Sequence, residues 1–196
     1  MHAQLQSIYE ALGITSEHVT KNKLLACEQP LLAELEVVDI DFEGKPFILL
    51  SAAARAWREM VRAADEDEIM LKPFSGFRSY LHQKSLIERH LKNGRPLDNI
   101  LTHIAIPGFS EHHSGRAVDI HEAGHPVLEE EFERTSAFAW LSENATRFGF
   151  RLSYPRGNDQ GIIYEPWHWY FYGWSDLTGH ALAQALQNNS RKTAFW

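Results

Sequence analysis

The sequence predicts an α+β fold, a small antiparallel sheet flanked by helices. Three observations carry this. Apolar residues recur at helical spacing in several separate stretches. Short apolar or alternating runs lie between turns that contain Gly, Pro, Asn or Asp. The two kinds of segment do not alternate as regular βαβ units, so a parallel sheet is not expected.

Leu5, Ile8, Tyr9 and Leu12 mark a first helix, which Gly13 stops. Residues 37–42 alternate apolar and acidic side chains, Glu43-Gly44 turns the chain, and residues 45–50 resume an apolar run, which reads as a hairpin. Ala53, Trp57, Met60, Val61 and Ala64 form one face of a helix, followed by an exposed acidic connection at residues 65–68. A strand over residues 69–74 leads to Ser79, which caps a helix running to about Lys92. Pro107-Gly108 breaks the chain before a short strand at residues 117–120. The stripe Ala137, Phe138, Leu141, Ala145 and Phe148 predicts one helix over residues 132–148, ended by Gly149. Strands are expected at residues 151–154 and 162–172, around a turn at 155–159. Leu177, Ala181, Leu182, Ala185 and Leu186 predict a closing helix, and residues 188–196 a loose tail. The expected organisation is a helical and hairpin extension (1–68) packed on the same domain as a core (69–187), then the tail.

With 44 % hydrophobic and 23 % charged residues, the 196-residue chain has the composition of an ordinary globular domain. Its net charge of -7 argues against nucleic acid or an anionic membrane as main partner, since either needs a basic face. No apolar run is long enough for a transmembrane segment. The one cysteine, Cys27, excludes an internal disulfide and a cysteine-rich zinc finger, and reads as a packed or surface thiol.

Chemistry concentrates in two segments. The first is Ser110-Glu111-His112-His113-Ser114-Gly115-Arg116-Ala117-Val118-Asp119, and the second is Glu165-Pro166-Trp167-His168. Two imidazoles and a carboxylate satisfy a catalytic zinc ion, whose fourth position takes water. A further carboxylate can take a proton from that water. Gly115 suits a sharp turn or a close backbone approach, and Ala117 would share a strand face with Asp119 and leave room in a cleft. Pro166 opposes a regular strand at the second segment, so a kink would bring Glu165 and His168 to one site. Tyr164, Trp167, Trp169, Tyr170, Phe171 and Tyr172 would form an aromatic wall. Against this stand 11 histidines, among which some spacings arise by chance, and the absence of the stronger HExxH pattern.

The wording of the motifs decides between these readings. Ser110-x-His112-x-x-Gly115-x-Ala117-x-Asp119 with Glu165-Pro166-Trp167-His168 resembles the zinc D-alanyl-D-alanine carboxypeptidases of the VanY type and the related D,D-dipeptidases and L,D-carboxypeptidases. Ser75-Gly76-Phe77-Arg78-Ser79-Tyr80 with Gln83, residues 107–112, Gly149-Phe150 and Tyr154-Pro155 fit the same pattern, with Phe77 where tyrosine is usual. The resemblance covers about residues 70–173. It implies the zinc fold shared with the Hedgehog signalling domain. It implies one zinc ion held by His112, Asp119 and His168, with Glu165 as general base and then acid. Arg78 would hold the oxyanion or a substrate carboxylate. Ser110, Gln83, Tyr154 and Trp167 are candidate substrate contacts, though Ser110 also reads as a loop-shaping residue, Gln83 as a helix-surface residue and Tyr154 as an ordinary strand aromatic. His103 and His113 read as neighbours rather than ligands, and Asp176 with His180 as a surface pair. The implied partner is a peptidoglycan peptide or muropeptide. The rivals are an endopeptidase of the same fold and a zinc-bearing binding module without turnover. The residues 1–20 lack a secretory pattern, so the expected compartment is the cytoplasm as sequenced, with the cell envelope usual for the family as the alternative.

Overall fold

The computed structural model describes residues 3–41 and 43–173. The expected closing helix, the Asp176/His180 pair and the tail lie outside the described residues. In chain order the elements are α1 (Ala3–Leu12), α2 (Ser16–Lys21), β1 (Leu35–Ile40), β2 (Pro46–Leu50), α3 (Ser51–Glu66), β3 (Lys72–Ser75), α4 (Tyr80–Lys92), α5 (Leu97–Ile100), β4 (Ala117–His121), α6 (Ser136–Asn144), β5 (Phe150–Leu152) and β6 (His168–Phe171). β1 and β2 form the hairpin, and the other strands form an antiparallel sheet of order β3-β4-β6-β5. The α+β expectation therefore holds, with a second, two-stranded sheet beside the main one. Among the described residues, no helix is long and apolar enough to cross a membrane.

The core has two main parts. Phe47 and Leu49 of β2 and Trp57 and Met60 of α3 pack with Val118, Ile120 and Trp169 of the main sheet and Leu141 of α6. Ile8 and Leu12 of α1 pack with Ile87 of α4 and Ile100 of α5. Burying a Leu or Ile side chain contributes roughly 1.5–3 kcal/mol, so the residues before 69 are joined to the sheet by substantial apolar contact.

Two glycines let the hairpin approach the loops around the site. Gly115 has φ +69, accepts from the Leu50 amide at 2.8 Å, and would put a Cβ 2.9 Å from that nitrogen. A Cβ on Gly76 would lie 2.4 Å from the Ile48 carbonyl oxygen. Only glycine fits such contacts without displacing backbone.

Several boundaries differ from expectation. The stripe at 132–148 is not one helix. A 3-10 turn (Glu130–Arg134) ends at Thr135, whose extended backbone and hydroxyl, accepting from the Phe138 amide at 3.1 Å, start α6 afresh. Local capping here overrides the periodic apolar pattern. The strand expected at 162–172 shrinks to β6, because the chain turns at Pro166 and the His168 amide donates to the Glu165 carbonyl at 3.1 Å. β3 begins only at Lys72, since Glu68 adopts φ 61 and the Ile69 amide closes back on the Ala64 carbonyl. The acidic segment 65–68 is not simply a solvated connection. α3 runs through Glu66, and the Asp67 carboxylate accepts from the Trp140 indole at 2.7 Å.

Candidate metal centre

The sheet register assembles the site. Asp119 of β4 is the cross-strand partner of Ser75 on β3 and of His168 on β6. Three adjacent strands thus present Ser75, Asp119 and His168 side by side. Directly opposed residues have Cβ atoms about 4.5–5.5 Å apart, so this row alone brings two of the expected ligands together. The third, His112, comes from a 3-10 turn (Glu111–Ser114) that Gly115 ends in a left-handed conformation just before β4.

His112, Asp119 and His168 are buried, and ligand atoms from the three all lie within 4.8 Å of one another. His112 Nε2 is 3.1 Å from one Asp119 oxygen, and His168 Nδ1 is 3.0 Å from the other. Four ligands at about 2.0–2.1 Å around tetrahedral zinc would be spaced by about 3.3 Å. The outer ring nitrogens are also committed. His112 Nδ1 donates to the Gly76 carbonyl at 2.7 Å, and His168 Nε2 donates to Glu111 Oε2 at 2.9 Å. Each partner takes up the outer N–H, so the inward nitrogen can offer a lone pair to a metal once it gives up its proton. Two nitrogens and a carboxylate then converge on one point, which a divalent cation would satisfy and no other group does among the described residues. The donor set, two nitrogens and one oxygen, suits zinc.

Without a cation the same convergence shows in the ionisation of these groups. Burial disfavours the His168 imidazolium, but hydrogen bonds to Asp119 and Glu111 outweigh it and push the ring up to about 10. Burial opposes ionisation of Asp119 as well, yet the two histidines hold its carboxyl below the ordinary range. Glu165 goes the other way. It is buried, its Oε2 lies 3.8 Å from His168 Nδ1, and burial pushes it up to about 8.

Arg78 is fixed beside the triad. Its guanidinium donates to Ser75 Oγ at 3.0 Å and to Gln83 Oε1 at 3.2 Å, and lies 3.6 Å from Asp119 Oδ2. Gln83 is buried and also donates to the Ala105 carbonyl at 2.7 Å, so it is not a helix-surface residue. Ser110, Tyr154 and Trp167 are buried and line the same cleft of about 540 Å³, with the Tyr154 ring 4.9 Å from that of His168.

Other expectations fail here. Ala117 is fully buried and does not line the cleft. Of the six aromatic residues expected as a wall, only Trp167 lines it. Trp169 and Phe171 join the core, and Tyr164 donates to Glu133. Alternation along β6 explains this, since His168 faces the site and its neighbour Trp169 faces the other way. The reading of His113 as a neighbour rather than a ligand does not fail: its Nδ1 pairs with the Arg78 carbonyl at 2.6 Å, and burial lowers it to about 4.

Glu111 was missed as a functional residue. One of its oxygens accepts both the His168 ring and the Ser153 hydroxyl, the latter at 2.6 Å. It stands inside the motif, next to His112, but nothing in the spacing shows that it reaches a residue 57 positions later.

Comparisons with known proteins return peptidases. A family model described as VanY, D-alanyl-D-alanine carboxypeptidase, matches residues 47–174. The match reaches back beyond the motifs to β2 and α3, which pack under the sheet. The Bacillus subtilis (strain 168) protein YodJ, a carboxypeptidase by name, is 33 % identical over 167 residues, 80 % of this chain and 58 % of YodJ. The chain thus spans little more than half the length of that relative. Among solved structures, LdcB, an LD-carboxypeptidase, superposes with TM-score 0.70 and 28 % identity over 86 % of this chain and 79 % of that one. A variant of the D,D-pentapeptidase VanY from a VanB-type vancomycin-resistance cassette, in complex with Zn(II), gives TM-score 0.59 and 25 % identity over 80 % of this chain and 92 % of that one.

Proposed function

The chain belongs to the VanY family of D-alanyl-D-alanine carboxypeptidases, and from that premise we propose that it is a zinc-dependent carboxypeptidase removing the terminal D-Ala from peptidoglycan peptides. One observation carries the reading: His112, Asp119 and His168 converge on a single point in a cleft, with Glu165 and Arg78 beside it. The Zn(II) complex of the related VanY supports zinc as the metal.

His112, Asp119 and His168 would hold the ion. Zinc held there would supply a Lewis acid and make hydroxide available near neutral pH. Glu165 takes a proton from the attacking water. It is buried with Oε2 3.8 Å from His168 Nδ1, placed to take that proton and deliver it to the leaving amine. Arg78 aims a fixed guanidinium at the developing oxyanion. Its contacts to Ser75 and Gln83 mean little reorganisation is needed as charge appears. Tyr154 and Trp167 shape the walls, and Ser110 offers a hydroxyl at the cleft.

The test is mass spectrometry of defined peptides ending in D-Ala-D-Ala after incubation with zinc-loaded protein. Loss of one alanine, abolished by chelation and restored by zinc, is expected. An intact peptide or an internal cut would overturn the reading.

A further inference from the structure

The cleft does not end at the metal-ligating residues. One face of α4 forms its wall, through His82, Gln83, Leu86, Arg89 and His90. Gln83 contacts Arg78 and so marks the reacting end. His90 lies seven residues further on. At 1.5 Å per residue, the helix carries the wall about 10 Å away from that end. There the lining changes character. Arg89, His90, Arg95 and His103 come together there, with Glu43 of the hairpin turn on the same cleft.

The geometry of this cluster is partly built. Arg95 donates from Nε and Nη2 to Asn99 Oδ1 at 3.3 and 3.0 Å, and its Nη1 lies 3.1 Å from His90 Nδ1. Neutral partners therefore hold the guanidinium in place without cancelling its charge. Among the described residues, neither Arg89 nor Arg95 makes an ion pair. Of the carboxylates nearby, Glu88 pairs with Lys84, Asp98 with His18 and Glu43 with Lys45, while Asp41 accepts backbone amides of its own turn; Glu43 also feels the charge of Arg89 without pairing with it. The field is felt locally. Burial, then Arg95, Arg89 and His103, lower the pKa of His90. In a chain of net charge -7, two arginines at the cleft wall that make no ion pair among the described residues are arranged for an anion.

We propose that Arg89 and Arg95 form an anion subsite that binds a free carboxylate on the retained part of the peptide, two or three residues before the scissile bond. This rests on the carboxypeptidase reading above. A carboxypeptidase releases a single residue, whose reach of about 3.5 Å cannot span the distance. Only the acyl side extends far enough, and three extended residues cover about 10 Å. A planar guanidinium matches a carboxylate through paired N–H donors. The subsite thus selects acidic stem peptides over neutral ones of equal length.

The probes are two synthetic peptides ending in D-Ala-D-Ala, alike except for Glu or Gln at the third residue before the scissile bond. Their products, shortened by one alanine, complete the set. Binding of the two products to wild type and to the Arg89→Gln/Arg95→Gln variant is measured by calorimetry, and KM for the two substrates is measured in parallel. The calorimetric arm needs no turnover, so it separates failure of the subsite from failure of the carboxypeptidase reading. Wild type is expected to favour the Glu peptide by about fivefold in Kd and KM, as partly exposed charge pairs allow, with little difference in kcat. The variant should lose the preference while circular dichroism shows the fold retained. Salt should weaken the preference in wild type. Equal binding of Glu and Gln products by wild type would overturn the proposal, as would a preference that survives in the variant.

Discussion

Glu111 offers the sharpest test of how the metal-binding geometry is held. Its Oε2 accepts His168 Nε2 at 2.9 Å and Ser153 Oγ at 2.6 Å. Glu111→Ala removes the acceptor of both bonds. The His168 ring then loses the partner that fixes its tautomer and orientation, while Asp119 and His112 keep theirs. Outer partners of this kind contribute about 10- to 100-fold to metal affinity, or about 1.4–2.7 kcal/mol. The effect should fall high in that range, because the ring is buried and no water replaces the carboxylate freely. Glu111→Gln keeps an acceptor but loses the charge, so a loss of about tenfold or less is expected. The assay is competitive titration of metal-free protein with zinc against a chromophoric chelator, with circular dichroism to verify the fold. A zinc Kd for Glu111→Ala within twofold of wild type, in a folded protein, would refute the reasoning.

Glu165→Gln should bind zinc as wild type does and lose about 10²–10⁴-fold in kcat, measured by alanine release. Arg78→Ala should lower kcat by about 10²–10³-fold, the effect of removing one oxyanion donor. Arg78→Lys should rescue little, since one ammonium cannot meet Ser75, Gln83 and the substrate together. The metal-free protein should lose thermal stability between pH 7 and 9. Glu165 and His168 are raised to about 8 and about 10, so the folded state binds more protons than the unfolded chain there, and stability falls as pH rises. Zinc displaces the His168 proton, so the loaded protein should show a flatter profile in the same melting experiment.

The metal ligands were legible because their chemistry is local to two motifs, and the motif wording resembles a known family. The partners around them were not. Ser75 meets Asp119 through β3–β4 register, and Ser153 meets Glu111 through the loop after β5. Pairing between distant strands leaves no mark on a single chain. Elements failed where a local signal competed with a periodic one. Thr135 interrupts an apolar stripe that suits one helix, and Pro166 divides an aromatic run that suits one strand. At Gln83 the sequence left two readings open, a cleft residue and a helix-surface residue, and the burial favours the first. Its position on α4 fitted a surface residue, whereas its amide bridges Arg78 and Ala105 in the interior.

The central claim is that His112, Asp119 and His168 grip one metal ion. X-ray absorption at the zinc edge of the loaded protein tests it most directly. The account predicts a shell of nitrogen and oxygen at about 2.0–2.1 Å, with the multiple-scattering pattern of two imidazoles that drops to one in His168→Ala. A sulfur shell at about 2.3 Å, or an imidazole pattern that His168→Ala leaves unchanged, would contradict it.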